Sequence, residues 1–341
     1  MKDVLVIKPS ALGDIIQSTC ILPIIKKHSP DARVSWLVFK HNSEILINHP
    51  LIDHLFIADR HANFLTQVWN LGREMRRHRF DLVIDLQSQF RSGLFSILSG
   101  GKRRVGYADG QEGSTFFCTE TFDIPTRSMH AVEGYVKLCQ ALGMEPVGQV
   151  DFPLPVREAN RRKVGQLLRG FLDGHPLITM CPSARWPTKC WPERHFASLG
   201  DWLIDQTGAK IVLVGSPDEK DVSNRVSADM KHPVLDLTGR ISLLDVAALL
   251  ERSDLFVGND SGLMHMASAT KTRTVAIFGP TDPRRTGPYN PLARTVQADL
   301  ECMPCFRKRC RELRCMESLD HRKVGTACLS RLQEKSSERG G

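Results

Sequence analysis

The residues best suited to chemistry sit in a few loops between apolar runs. The segment Asp254-Leu-Phe-Val-Gly-Asn-Asp260-Ser-Gly-Leu-Met-His265 reads as a buried strand ending at Gly258, then a helix capped by Asp260 or Ser261, with Gly262 letting backbone approach closely. The free N–H groups of such a first turn form an anion site suited to a diphosphate. His265, four residues after Ser261, can return its ring toward the same place. A capped structural helix with a core histidine explains Asp260 and His265 separately, but explains less well the second loop, Phe278-Gly-Pro-Thr-Asp-Pro283, after the next strand. Lys189, in Cys181-Pro-Ser-Ala-Arg-Trp-Pro-Thr-Lys189-Cys-Trp-Pro192, precedes another helix start and suits either a phosphate counter-charge or an ordinary surface loop. Near the N-terminus, Lys8-Pro-Ser-Ala-Leu-Gly13-Asp14 places a carboxylate at a helix start, where it can serve as an N-cap or as a proton acceptor. No G-x-G-x-x-G and no Walker A sequence occurs, so the usual dinucleotide and P-loop sites are not supported.

These loops need strands and helices to hold them. Short β-branched runs alternate with segments of helical period, the α/β pattern of a parallel sheet with crossover helices. Strands are expected at Val4–Ile7, Val34–Phe39, His54–Ile57, Leu82–Asp85 and Arg104–Tyr107, and again at Leu177–Cys181, Ile211–Val214, Val234–Asp236, Leu255–Val257 and Thr274–Phe278. A helix from Ile15 to about His28 should kink at Pro23. The expected division is a domain over 1–155, a linker over 156–175 opened by Phe152-Pro-Leu-Pro-Val156, a second domain over 176–300, and a Cys-rich segment with a tail over 301–341, frayed at its SSERGG end. Ligands in doubly wound sheets bind beyond the carboxyl ends of strands, where the loops above lie.

Composition narrows the class. With 341 residues, 41% hydrophobic and 25% charged, the chain is that of a two-domain globular protein, not a fibrous or disordered one. It offers no run of about 18 apolar residues and no leader pattern, so a soluble, cytoplasmic protein is expected. The net charge of +8 concentrates over residues 60–105, where nine Lys and Arg face three Asp and Glu, a local +6. That stretch suits an anionic partner, or is simply a solvated face.

Together the motifs Ile7-Lys-Pro-Ser-Ala-Leu-Gly-Asp-Ile15, Pro187-Thr-Lys-Cys-Trp-Pro192, Asn259-Asp-Ser-Gly-Leu-Met-His265 and Phe278-Gly-Pro-Thr-Asp-Pro283 resemble those of glycosyltransferase family 9, the heptosyltransferases of lipopolysaccharide core assembly, over nearly the whole chain. The resemblance implies the GT-B fold, two doubly wound Rossmann-like domains facing across a cleft, with acceptor on the first and nucleotide sugar on the second. It implies an inverting transfer that needs no metal cofactor, with Asp14 as base and Lys189 stabilising the leaving diphosphate beside the N–H groups of Ser261 and Gly262. Ser183, Glu219, Thr238, Ile241, Asp260 and His265 become donor contacts, and Ser10, Gly13, Arg91 and Ser92 acceptor contacts. Where the family often has arginine after a His-x-Val-Glu motif, this chain has Gly134. The implied donor is ADP-heptose. The implied acceptor is an anionic, lipid-linked core oligosaccharide at the cytoplasmic face of the inner membrane, and nucleic acid is not an expected partner.

Cys302-x2-Cys305-x4-Cys310-x4-Cys315 has the spacing of an all-thiolate zinc knuckle, so either a structural zinc or four reduced thiols is expected there. The competing readings are a sugar-nucleotide epimerase on a similar fold, a non-catalytic paralogue, and a nucleic-acid module built on the knuckle, for which stacking aromatics are scarce.

Overall fold

The computed structural model describes residues 1–146 and 148–339, with side chains as far as 334. The chain divides into two compact units, Met1–Pro155 and Val156–Gly341.

The first unit holds β1 (Asp3–Ile7), β2 (Arg33–Phe39), β3 (His54–Ala58), β4 (Leu82–Asp85), β5 (Arg103–Tyr107) and β6 (Glu120–Phe122). Its helices are α1 (Leu12–Ser18), α2 (Ile21–His28), α3 (Phe64–Arg76), α4 (Phe90–Leu98) and α5 (Ala131–Ala141). The strands lie parallel in the order β3-β2-β1-β4-β5-β6. Central strands covered on both faces read as continuous apolar runs, and Val4 to Ile7 are accordingly fully buried. The single kinked helix expected from Ile15 is instead two helices, and the break precedes Pro23. The hydroxyls of Ser18 and Thr19 donate to the carbonyls of Ile15 and Ile16, at 2.8 and 2.7 Å, competing with the helix ladder. Pro23 then falls in the first turn of α2, where its missing N–H leaves no bond unmade.

The second unit holds β7 (Leu177–Cys181), β8 (Lys210–Leu213), β9 (Leu235–Asp236), β10 (Leu255–Asn259), β11 (Thr274–Phe278) and β12 (Ala293–Gln297), in the order β12-β11-β10-β7-β8-β9 and again parallel. Its helices are α6 (Glu158–Leu167), α7 (Glu193–Thr207), α8 (Lys220–Asp229), α9 (Leu243–Arg252), α10 (Gly262–Ala269), α11 (Pro283–Thr286), α12 (Arg314–Glu317) and α13 (His321–Arg339). Residues 156–175, read from sequence as a linker, contain α6, bound to α9 through Asn160 to Asp245 at 2.8 Å and Arg161 to Glu251 at 2.7 Å. The C-terminal tail is equally part of this unit. Trp191 donates its indole N–H to the carbonyl of Leu319 at 2.8 Å, and Val324, Ala327 and Cys328 join the core under β10 and β11. Helix α13 runs through 336–339, where a frayed end was expected; Gly340 and Gly341 lie outside the described residues.

Each sheet reverses its winding once. In the first the reversal lies between β1 and β4, in the second between β7 and β10. Loops leave the carboxyl ends of such a pair in opposite directions and open a crevice between them.

Candidate functional site

In the second unit the loops after β7 and β10 bring Lys189 and Asp260 together. The ammonium of Lys189 lies 2.7 Å from Asp260 Oδ2, and both side chains are largely buried. Thr281, in the loop after β11, donates its hydroxyl to the same oxygen at 2.7 Å. Asn259, fully buried, fixes the spacing of the loops: its Oδ1 accepts from the N–H of Trp191 and its Nδ2 donates to the carbonyl of Pro182. Gly258 keeps β7 and β10 close, because a Cβ there would stand 2.8 Å from the Phe256 ring and 3.0 Å from the Cys181 carbonyl. Helix α10 starts beside this pair with Ser261 as its N-cap, and that side chain makes no capping hydrogen bond. The first-turn N–H groups of α10 are thereby left without the usual hydroxyl partner. His265 is buried one turn further on.

Two further loops close this edge. The N–H of Gly239 donates to the carbonyl of Gly215 at 3.0 Å, so the loops carrying Glu219 and Thr238 are tied to one another. Gly239 has φ +69° and its Cα side rests on Pro217, so a side chain there would meet both strain and a 2.9 Å contact. Glu219 accepts from the N–H of Ser216 at 2.7 Å, Thr238 is buried, and Ile241 and Glu219 are half-buried. Ser183 is buried at the end of β7. All of the residues singled out for the donor thus lie along the carboxyl edge of one sheet.

The first unit has its own crevice. Asp14 is not the N-cap of α1 but its third residue, half-buried, with Oδ2 accepting from the N–H of Ala11 at 3.1 Å. Beside it lies a pocket of about 160 Å³ lined by Lys8, Gln87, Tyr107, His130, Gly134 and Tyr135, among others. Lys8 is buried, donates to the carbonyl of Leu86 at 3.1 Å, and lies 5.8 Å from the centre of the Tyr135 ring. Burial, and then the charge of Asp14, push the Tyr135 phenol well up. The hydroxyl of Tyr107 is buried with no hydrogen-bond partner among the described residues. A Cβ on Gly134 would find no atom nearer than 3.9 Å, so the position is open on the pocket wall.

Under this pocket Asp85 closes β4. Burial pushes its carboxyl up to about 6, against hydrogen bonds from Ser88, Ser92 and Gln87 and the charge of Lys8, which pull it down. Ser92, expected to meet an acceptor, is itself buried, and its hydroxyl donates to Asp85 Oδ2 at 2.8 Å. Its place is beneath the loop. Arg91 is exposed, with its guanidinium 5.0 Å from the centre of the Phe64 ring; Ser10 is half-buried and Gly13 lies buried within α1.

In the Cys-rich segment burial, and then the charges of Cys305, Cys302 and Cys310, push the Cys315 thiol up. Cys315 is packed into the core at the start of α12, against Gly279, while Cys302 and Cys310 are exposed and Cys305 is half-buried. Among the described residues no group of three or more His, Cys, Asp or Glu is placed to hold a metal ion. The segment is attached by contacts to the loops of the site. The N–H groups of Cys305 and Phe306 donate to the carbonyl of Pro280, and Thr188 donates to the carbonyl of Arg307 at 2.8 Å. Lys189 and Lys308 lie 4.7 and 4.9 Å from the centre of the Trp186 ring. Sequence reasoning missed Thr281, Asn259, Thr188, Lys8, Asp85 and Tyr107. The only signal for Asn259 and Asp85 is a polar residue closing an otherwise apolar strand.

Comparison with known proteins bears on the fold and the family. Lipopolysaccharide heptosyltransferase 1 of Pseudomonas aeruginosa is 28% identical over 322 residues, covering 90% of this chain and 87% of its own. The glycosyl transferase family 9 structure from Veillonella parvula superposes with a TM-score of 0.86 at 23% identity, over 98% of this chain and 97% of that one. The Escherichia coli ADP-heptose lps heptosyltransferase II superposes at 0.81, again 23% identical, over 98% of this chain and all of its own. These likenesses make the architecture the GT-B fold. The model of glycosyltransferase family 9 (heptosyltransferase) matches residues 68–316, well over half of the sequence, and the protein therefore belongs to that family and is a glycosyltransferase.

Proposed function

We propose that the protein transfers a heptose, or a closely related sugar, from ADP-heptose to the inner core of lipopolysaccharide, with inversion and without a catalytic metal. The observation that carries this reading is the buried Lys189 and Asp260 pair beside the N-terminus of α10. It is a preformed place for a diphosphate and for the hydroxyls of the sugar attached to it. The names of the relatives supply the sugar, since they are lipopolysaccharide heptosyltransferases and one is described with ADP-heptose.

In this reading Asp14 accepts the proton of the acceptor hydroxyl as its oxygen bonds to the anomeric carbon. The bond from that carbon to the diphosphate breaks, and its electron pair leaves with the phosphate. Lys189 and the N–H groups near Ser261 and Gly262 stabilise the charge that grows there, a role that a metal ion fills in sites built on an Asp-x-Asp pair, which this sequence lacks. Asp260 and His265 hold and orient the sugar; Ser183, Glu219, Thr238 and Ile241 contact the nucleoside. Ser10, Gly13 and Arg91 meet the acceptor, with Ser92 positioning their neighbours through Asp85. The acceptor is anionic and lipid-linked, which places the enzyme in the cytoplasm, in peripheral contact with the inner membrane. No helix among the described residues is long and apolar enough to cross a membrane.

The test is mass spectrometry of products after incubation with ADP-heptose, UDP-sugars and core-truncated lipopolysaccharide acceptors. A heptose added only when ADP-heptose and an acceptor are both present is the expected result. Conversion of a nucleotide sugar with no acceptor present points instead to an epimerase, and transfer from a UDP-sugar rejects the donor.

A further inference from the structure

The carboxyl edge of the N-terminal sheet carries more than the loop with Asp14. Its strands are all parallel, so the segments that follow β3, β4 and β5 emerge on the same edge as the turn between β1 and α1. Those segments hold the four most exposed large apolar side chains among the described residues. Leu65 (75% exposed) and Trp69 (59%) lie one turn apart at the start of α3, Phe90 (46%) opens α4, and Phe116 (88%) sits in the 3₁₀ turn after β5.

The four are neighbours through the residues next to them. Arg91 stacks on Phe64, which joins the starts of α3 and α4, and Phe90 meets Phe117 edge-on at 5.4 Å, which joins α4 to the 3₁₀ turn. Arg60, just after β3, and Arg91 are exposed on the same edge. The carboxylates there are engaged with backbone: Asp59 accepts from the N–H of His61 and Glu112 from that of Phe90. Singly exposed apolar residues need no explanation, but a joined set of Trp, Phe and Leu flanked by arginines has the make-up of a surface that rests in a lipid headgroup layer. Trp suits that layer because its ring is apolar and its N–H is not.

We propose that this edge docks on an anionic bilayer, with Leu65, Trp69, Phe90 and Phe116 entering the headgroup region and Arg60 and Arg91 meeting lipid phosphates. Docking in this orientation presents the Asp14 loop to the lipid surface from which a lipid-linked hydroxyl would arrive. The inference rests on the membrane part of the function proposed above, and vesicle binding needs neither donor nor acceptor, so the two fail separately.

The experiment is sedimentation of the full-length protein with vesicles of phosphatidylcholine alone or mixed with phosphatidylglycerol. Binding to the mixed vesicles, weakening with salt, is expected. The triple variant Leu65→Ser, Trp69→Ser, Phe116→Ser should bind at least about tenfold more weakly, and Arg60→Glu about fivefold more weakly. All are exposed positions, so unchanged thermal unfolding checks the fold. Brominated phosphatidylglycerol should quench part of the tryptophan fluorescence, and Trp69→Phe should abolish that quenching. On a delipidated, soluble acceptor the triple variant should keep its turnover. Equal sedimentation of wild type and triple variant overturns the proposal, as does a lipid-free self-association lost in the triple variant, which would make this edge a contact between copies.

Discussion

Asp14, proposed above as the base, also makes a structural bond, and the two roles can be separated. Asn in its place can still accept from the N–H of Ala11, so Asp14→Asn should preserve α1 and the affinity for ADP while turnover falls about 100-fold or more. Near-normal turnover would remove it from the mechanism. Lys189 is harder to read, because truncating it also strands Asp260. Lys189→Ala should cost about 3 kcal/mol of stability from the uncompensated buried carboxylate, with a loss of turnover on the order of 100-fold in addition. The double variant with Asp260→Asn should recover the stability and not the turnover, and wild-type turnover should survive EDTA. Asp85 gives a pH signature. Its folded carboxyl is raised to about 6 from 3.8, so the folded state binds the extra proton and stability falls as pH rises between those values. Asp85→Asn should flatten that part of the stability curve, a difference of about 3 kcal/mol at most; an unchanged slope in chemical denaturation from pH 4 to 6 would assign the proton elsewhere. Asp14, Lys189 and Asp260 were legible in the sequence because each stands in a Gly- or Pro-marked loop at a strand end. Thr281, Asn259 and Tyr107 were not, since their partners lie 21 to 77 residues away or face a pocket that only the fold creates.

At the scale of elements, periodicity served the buried strands and the edge strands β3 and β9, and failed at the other two edges. The strands β6 and β12 went unread because one is three residues long and the other, Ala293-Arg-Thr-Val-Gln297, has only Val296 buried, so neither shows an apolar run. The helix break at Thr19 lies four residues before Pro23, whose ring and missing N–H act on the Thr19 carbonyl, and the two hydroxyl-to-carbonyl bonds, which periodicity does not show, add to it. The Cys-rich segment does more than its spacing shows, because it also braces the loops of the site. Thr188 and Trp186 bind it to the loop that carries Lys189. If this brace sets the position of Lys189, then Thr188→Val, which keeps the volume and removes the donor to Arg307, should raise the Kd for ADP several-fold, by roughly 1 kcal/mol. Calorimetric titration with ADP measures it, and a Kd equal to wild type would leave the segment a purely structural appendage.

At the scale of the whole molecule, two units each with its own parallel sheet, core and winding reversal divide the work assigned to them. In the sequence two series of β-branched runs flank the Pro-rich stretch near residue 155, where the first unit ends. What could not be read was where the second unit begins and ends: α6 and α13 are polar enough to pass for linker and tail, yet Asn160 bonds to Asp245 and Cys328 lies in the core. If the donor binds the second unit alone, ADP should slow amide exchange in the loops after β7, β8, β9 and β10 and leave the β1–α1 loop and the pocket around Lys8 unchanged. At about 100 times its Kd, ADP should stabilise the unit that binds it by roughly 2.7 kcal/mol. Two-domain chains need not unfold in one step, so exchange measured segment by segment assigns that stabilisation where a single melting temperature would blur it. Protection of the Asp14 loop by ADP alone would contradict the division, and would assign part of the diphosphate to the first unit's own buried lysine and carboxylate, Lys8 and Asp85, instead of to Ser261, Lys189 and Asp260 alone.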